Sequence, residues 1–63
     1  MSHCYRMPSL DRADHLASIL QGAQIHARAE LRSSAPLLVV ASDRLDIDDA
    51  VRCLEPRAQP LPA

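Results

Sequence analysis

Apolar and polar positions change their period twice along the chain, and each change marks a predicted element. Tyr5 and Met7 alternate with Arg6 and stop at Pro8, which predicts a short first strand over 4–7. Behind Ser9, the residues Leu10, Ala13, Leu16, Ala17, Ile19, Leu20 and Ala23 recur at helical intervals and share one face. This predicts a helix over about 10–21, with Ser9 as N-cap and Asp11 near the positive end of the helix dipole. Gly22, the single glycine, is expected to supply the left-handed residue that ends it. From Ile25 the period becomes two: Ile25, Ala27, Ala29 and Leu31 alternate with His26, Arg28, Glu30 and Arg32, as in a strand with one buried face. Ser33-Ser34-Ala35-Pro36 predicts a turn, and the Leu37 to Ala41 run, apolar on both faces, predicts the central strand. Asp46 is expected to cap a last helix through the amide of Asp49, with Asp43 as a competing cap one turn earlier. Ile47, Ala50, Val51 and Leu54 give that helix its buried stripe, and Pro56 ends it.

The order β-α-β-β-α predicts an α+β domain over 1–55. Its expected architecture is a three-stranded sheet, order 1-3-2, with two helices on one face. This is a ferredoxin-like arrangement lacking its last strand. A right-handed crossover is expected to lay strand one beside strand three, in parallel. The tail over 56–63 holds Pro56, Pro60 and Pro62 and no periodicity, so it is expected to be a flexible, solvated end. Leu38 and Val40 are expected to face the helices, with the reverse set as the alternative. Leu37 and Val39 would then face the open side of the sheet and form a dimer or partner interface. The edge vacated by the missing strand is a second expected docking place.

Size sharpens this expectation. A chain of 63 residues buries only about 60% of its unfolded surface, and such domains commonly need a staple, a metal or a partner. The apolar content is 48%, with one Tyr and no Phe or Trp, so the core must be aliphatic. The opening Met-Ser-His-Cys-Tyr-Arg-Met has no apolar stretch of signal-peptide length, which leads to the expectation of a cytoplasmic protein whose Cys4 and Cys53 are reduced and buried. No apolar run approaches the roughly 20 residues of a membrane span. Seven basic and eight acidic residues give a net charge of −1, interspersed rather than clustered, so no nucleic-acid partner is expected.

Taken together, Tyr5-Arg6, Ser9-Leu10 with the following helix, Ile25 opening a strand, Leu38-Val39-Val40, and the helix ending Ala50-Val51-Arg52-Cys53-Leu54 resemble a family of small prokaryotic signal-transducing proteins. That family is compared with the nitrogen-regulatory PII-like fold. The resemblance covers about 4–55 and implies a fold and a signalling role; it implies no catalytic residues. The chain departs from the family pattern between the second and third strands, where Arg32 to Pro36 replaces a longer Gly-rich stretch. It departs again where Ala23-Gln24 separates Gly22 from Ile25.

Candidate chemistry is sparse. His3, Cys4, His15, His26 and Cys53 have no paired metal-ligand spacing, so no metal is expected. A Cys53–His15 nucleophile pair lacks an electropositive setting. Asp43, Asp46, Asp48 and Asp49 lack the glycine and distal Glu of a calcium loop and read as helix-start acids. One glycine cannot build a phosphate-cradling loop, so no nucleotide cofactor is expected. Arg28 and Arg32, on the polar face of strand two with His26 and Glu30, are a candidate anion patch or a solvated face, and Arg6 and Arg12 are open to the same two readings. The leading expectation is therefore a non-enzymatic, homodimeric interaction module of regulatory type. Its alternatives are a phage- or mobile-element-borne inhibitor that blocks a larger machine by surface contact, and a small-anion sensor.

Overall fold

The computed structural model describes residues Ser2–Pro62, which form β1 (Ser2–Arg6), α1 (Leu10–Gly22), β2 (His26–Arg32), β3 (Ala35–Ala41), α2 (Ile47–Leu54) and β4 (Gln59–Leu61). The sheet order is β2-β3-β1-β4, with every neighbouring pair antiparallel. The α+β class is as expected, but the sheet differs in two respects. First, β1 and β3 are antiparallel. β3 is the return arm of a hairpin with β2 and inserts between β2 and β1, so the two strands joined by α1 run parallel without touching. Second, a fourth strand exists. Gln59–Leu61 pairs with Cys4–Arg6, so the tail expected to be flexible completes the β-α-β-β-α-β order.

The tail can pair despite Pro60 because of backbone phase. The Met7 amide donates to the Pro36 carbonyl at 3.0 Å. Odd-numbered residues of β1 therefore address β3, and Cys4 and Arg6 address β4. Their partners are Leu61 and Gln59, while Pro60 stands opposite Tyr5 at a position whose N–H would point away from the ladder. A proline on such an edge removes no hydrogen bond.

The β2–β3 hairpin is closed by Ser33 (φ 52°) and Ser34 (φ 66°), both left-handed, the signature of a two-residue type I′ turn. Such a turn makes Arg32 and Ala35 a hydrogen-bonded pair. The register Arg28↔Val39 and Glu30↔Leu37 then assigns the backbone groups of His26, Arg28, Glu30 and Arg32 to β3. Those of Ala27, Ala29 and Leu31 point outward, along one edge of the sheet.

Ser9 caps α1 as expected, accepting from the Arg12 amide at 3.2 Å. The helix ends differently. Gly22 is its last helical residue, and the left-handed residue is Gln24 (φ 64°). The Ile25 amide donates to Leu20 O at 2.9 Å and the Gln24 amide to Gln21 O at 3.0 Å. These two bonds form a Schellman motif with Gln24 in the position usually given to glycine. α2 begins after Asp46, but the expected cap to Asp49 is not made. The Asp46 carboxylate instead accepts from Arg44 Nε and Nη2 at 3.0 and 2.9 Å, an exposed pairing that lowers its pKa.

The core lies between the helices and one face of the sheet. Ala13, Leu16, Ala17 and Leu20 of α1 and Ile47 and Val51 of α2 cluster with Tyr5, Met7, Leu38, Val40 and Ala58. Leu10 and Ile19, expected on the same face of α1, are exposed, because only about a third of a helix surface faces a sheet in a domain this thin.

Candidate functional site: the open face of the sheet

Strand registers place side chains in rows across the face opposite the helices. One row runs Arg28–Val39–Cys4–Leu61 and the next Glu30–Leu37–Arg6–Gln59. The row Tyr5–Leu38–Ala29 belongs to the other face, with Tyr5 and Leu38 fully buried. Leu37 and Val39 thus project from the side the helices leave uncovered, but they differ in access. Leu37 is only 4% exposed although it lies outside the core cluster, while Val39 and Cys4 are partly buried and Leu61 is exposed. A shallow concavity of about 270 Å³ beside Val39 is lined by Ser2, His26, Ala27, Arg28 and Ala41.

Arg28 and Arg32 also lie on this face, on either side of Glu30, because residues two apart on a strand share a face. Arg32 Nη2 donates to Glu30 Oε1 at 3.3 Å, and Arg28 Nη2 stands 3.8 Å from Glu30 Oε2. The expected anion patch therefore contains its own carboxylate, which offsets the charge an incoming anion would meet. Glu30 Oε2 is shielded from solvent yet accepts no hydrogen bond. The arginines, by contrast, are mostly exposed.

Two polar arrangements were not legible beforehand. Tyr5, the core's only aromatic residue, is fully buried and its hydroxyl donates to Asp48 Oδ1 in α2. Burial, and then that hydrogen bond, push its ionisation well above the ordinary tyrosine range. Glu55, directly after α2, is 3% exposed. It accepts from Arg12 Nε at 2.9 Å and from Arg57 Nε at 3.3 Å, and Arg12 above all holds its carboxyl below the usual range. The signal available was compositional: a lone tyrosine in an aliphatic core needs a partner for its hydroxyl. Arg12, open to an anion-binding or a solvated reading, is instead Glu55's partner.

The thiols are both free, Cys4 partly buried on the open face and Cys53 exposed. The expectation that both are buried fails for Cys53 because it lies off the Ile47–Val51 stripe of α2. His15 and His26 are exposed, and among the described residues no three His, Cys, Asp or Glu side chains gather as metal ligands. No helix among them is long and apolar enough to cross a membrane. No family model, no curated protein and no solved structure matches the chain.

Proposed function

We propose that the chain is a small, non-catalytic interaction module of regulatory type. In this reading it acts in the cytoplasm by self-association and by binding protein through the open face of its sheet. The observation that carries this reading is the row Val39–Cys4–Leu61, apolar and left uncovered by the two helices, which pack on the other face of the sheet. Apolar surface of that kind is stabilised by a partner. Arg6 and Arg28 border the row, so the partner that fits it is apolar at its centre with acidic groups at its margin. The resemblance to prokaryotic signal-transducing proteins supports the regulatory part.

The test is the absolute mass in solution by light scattering after size exclusion, combined with pull-down against the wild-type chain and Val39→Asp. A partner captured by the wild type and lost by a folded Val39→Asp variant supports the face as the contact. Equal capture by both places binding elsewhere and removes the face from the proposal.

A further inference from the structure

β2 is one of the two edges of the sheet, the other being the three-residue β4. The β2 edge is seven residues long and contains no proline, and the outward backbone groups of Ala27, Ala29 and Leu31 have no strand to pair with. Only one of them is visibly engaged: the Gln21 side chain at the end of α1 donates Nε2 to the Ala27 carbonyl at 2.7 Å. Edges of this kind template pairing with another chain unless something opposes it.

The sequence of this edge, His26-Ala27-Arg28-Ala29-Glu30-Leu31-Arg32, is complementary to itself about its centre. In a two-fold antiparallel pairing centred on Ala29, Arg28 of each copy stands opposite Glu30 of the other. Ala27 stands opposite Leu31, and His26 opposite Arg32. The outward phase fits the same centre, since the narrow, doubly bonded pairs are then Ala29 with Ala29 and Ala27 with Leu31, about six hydrogen bonds in all. Centring on Arg28 or on Glu30 would set like charges opposite one another. The Ala29 centre is also the one that overlaps the whole strand. Two side chains lack a full complement in the single chain and gain one in this pairing. Leu31 is 57% exposed and would lie against Ala27 of the second copy. Glu30 Oε2, shielded and without a hydrogen bond, would receive a guanidinium from Arg28 of the second copy.

We infer that a second copy of this chain pairs along β2, two-fold about Ala29, to make one continuous eight-stranded sheet. The exposed Gln21 side chain gives up the Ala27 carbonyl as the strands meet. This deepens the self-association part of the proposed function and rests on it, but locates the contact at the edge and leaves the open face free.

The experiment uses light scattering over a hundredfold concentration range with wild type, Arg28→Glu, Glu30→Arg and Ala29→Pro, each checked for fold by circular dichroism. The wild type is expected to reach twice its 6.9 kDa chain mass at the upper concentrations. Arg28→Glu and Glu30→Arg should each weaken association at least about tenfold, because each puts like charges opposite one another twice. An equimolar mixture of these two should associate again, because every 28–30 pair between the copies is then opposite in charge. Ala29→Pro removes an outward N–H without touching the bonds to β3, and should also weaken the pair. Wild-type dimer unchanged in all three variants but lost in Val39→Asp would overturn the edge and leave self-association through the face. Failure of the mixture to associate, with both variants folded, would overturn the register. A wild-type chain monomeric throughout would overturn the edge and the self-association half of the proposed function together, leaving partner capture as the separate test of the face.

Discussion

Gly22 and Gln24 occupy one another's preferred positions, and exchanging their roles should stabilise the protein twice over. At Gly22 the chain is still helical, and a Cβ added there meets nothing within 4 Å. Gly22→Ala therefore places the best helix former where glycine now has excess freedom in the unfolded chain, a gain of about 0.5–1 kcal/mol. At Gln24 the backbone is left-handed (φ 64°), where a side chain is disfavoured by about 1 kcal/mol. Gln24→Gly relieves that, less the entropy glycine loses on folding, for a net of roughly 0.5 kcal/mol. At about 2.1 cal/mol/K per residue, a 63-residue chain has an unfolding entropy of about 0.13 kcal/mol/K, so 1 kcal/mol moves Tm by about 8 °C. With both gains in full, the double variant melts roughly 8–11 °C above wild type.

Thermal unfolding by circular dichroism, together with urea unfolding at fixed m, measures both effects. The two sites lie two residues apart in one capping motif, so the single variants are measured beside the double one, which reads how far the gains add. A lower Tm for Gly22→Ala, or for Gln24→Gly, would refute the assignment of the left-handed position to Gln24. Were Gly22 the left-handed cap, its replacement by alanine would destabilise by about 1 kcal/mol or more, so the sign alone decides.

Tyr5→Phe should cost about 1 kcal/mol by removing the bond to Asp48. Because Tyr5 is the only tyrosine, ultraviolet titration reads it directly. Its ionisation is raised by burial, so its contribution is complete below the ordinary tyrosine pKa and is lost as pH rises above it; ionisation of a still-folded protein at the ordinary midpoint would contradict the burial. The Glu55 pKa is lowered, so its contribution is present above the ordinary carboxylate range and is lost as acid protonates it. Arg12→Ala should therefore lower Tm more at neutral pH than near about pH 2, where only its bond to the Leu54 carbonyl is lost, and a pH-independent effect would count against the pairing with Glu55. Replacing Ser33-Ser34 by Asn-Gly, the residues a type I′ turn favours, should stabilise the hairpin by about 0.5–1 kcal/mol in the same melts, and a neutral outcome would argue against that turn type.

The elements legible in the sequence were those with a strong period: α1, the alternation of β2, and the two-sided β3, whose Leu38 and Val40 do enter the core. Their extents were less legible, because β1 takes in Ser2 and His3 only through the register set by β3. β4 was invisible since three residues carry no period, and Pro60 reads as a breaker unless the phase of β1 is known. The antiparallel relation of β1 and β3 depends on β3 inserting between the crossover strands, which is a property of topology and leaves no mark on any single residue. Glu30 shows the same limit at the candidate site. Its charge was plain, but that it would sit between Arg28 and Arg32 with one oxygen unsatisfied depends on how β2 lies beside β3.

Edge pairing and stability are linked in a way that yields one more measurement. A partner that binds only the folded chain adds to its stability as concentration exceeds the dissociation constant. Each dimer joins two chains, so a tenfold rise in concentration adds about 0.7 kcal/mol per chain once the dimer predominates. For a chain whose unfolding entropy is about 0.13 kcal/mol/K, that is about 5 °C in Tm per tenfold concentration. Glu30→Arg should move the onset of this slope to at least about tenfold higher concentration, whatever the variant's dilute-limit Tm, which is read separately because Glu30 pairs within its own chain with Arg28 and Arg32. Val39→Asp should keep the slope, because Val39 points from the face and takes no part in the edge. A wild-type Tm independent of concentration, in a sample shown by scattering to be dimeric, would mean that the unfolded chains remain associated. The pairing would then belong to a segment that does not need the fold, which β2 alone, with its register held by β3, does not provide.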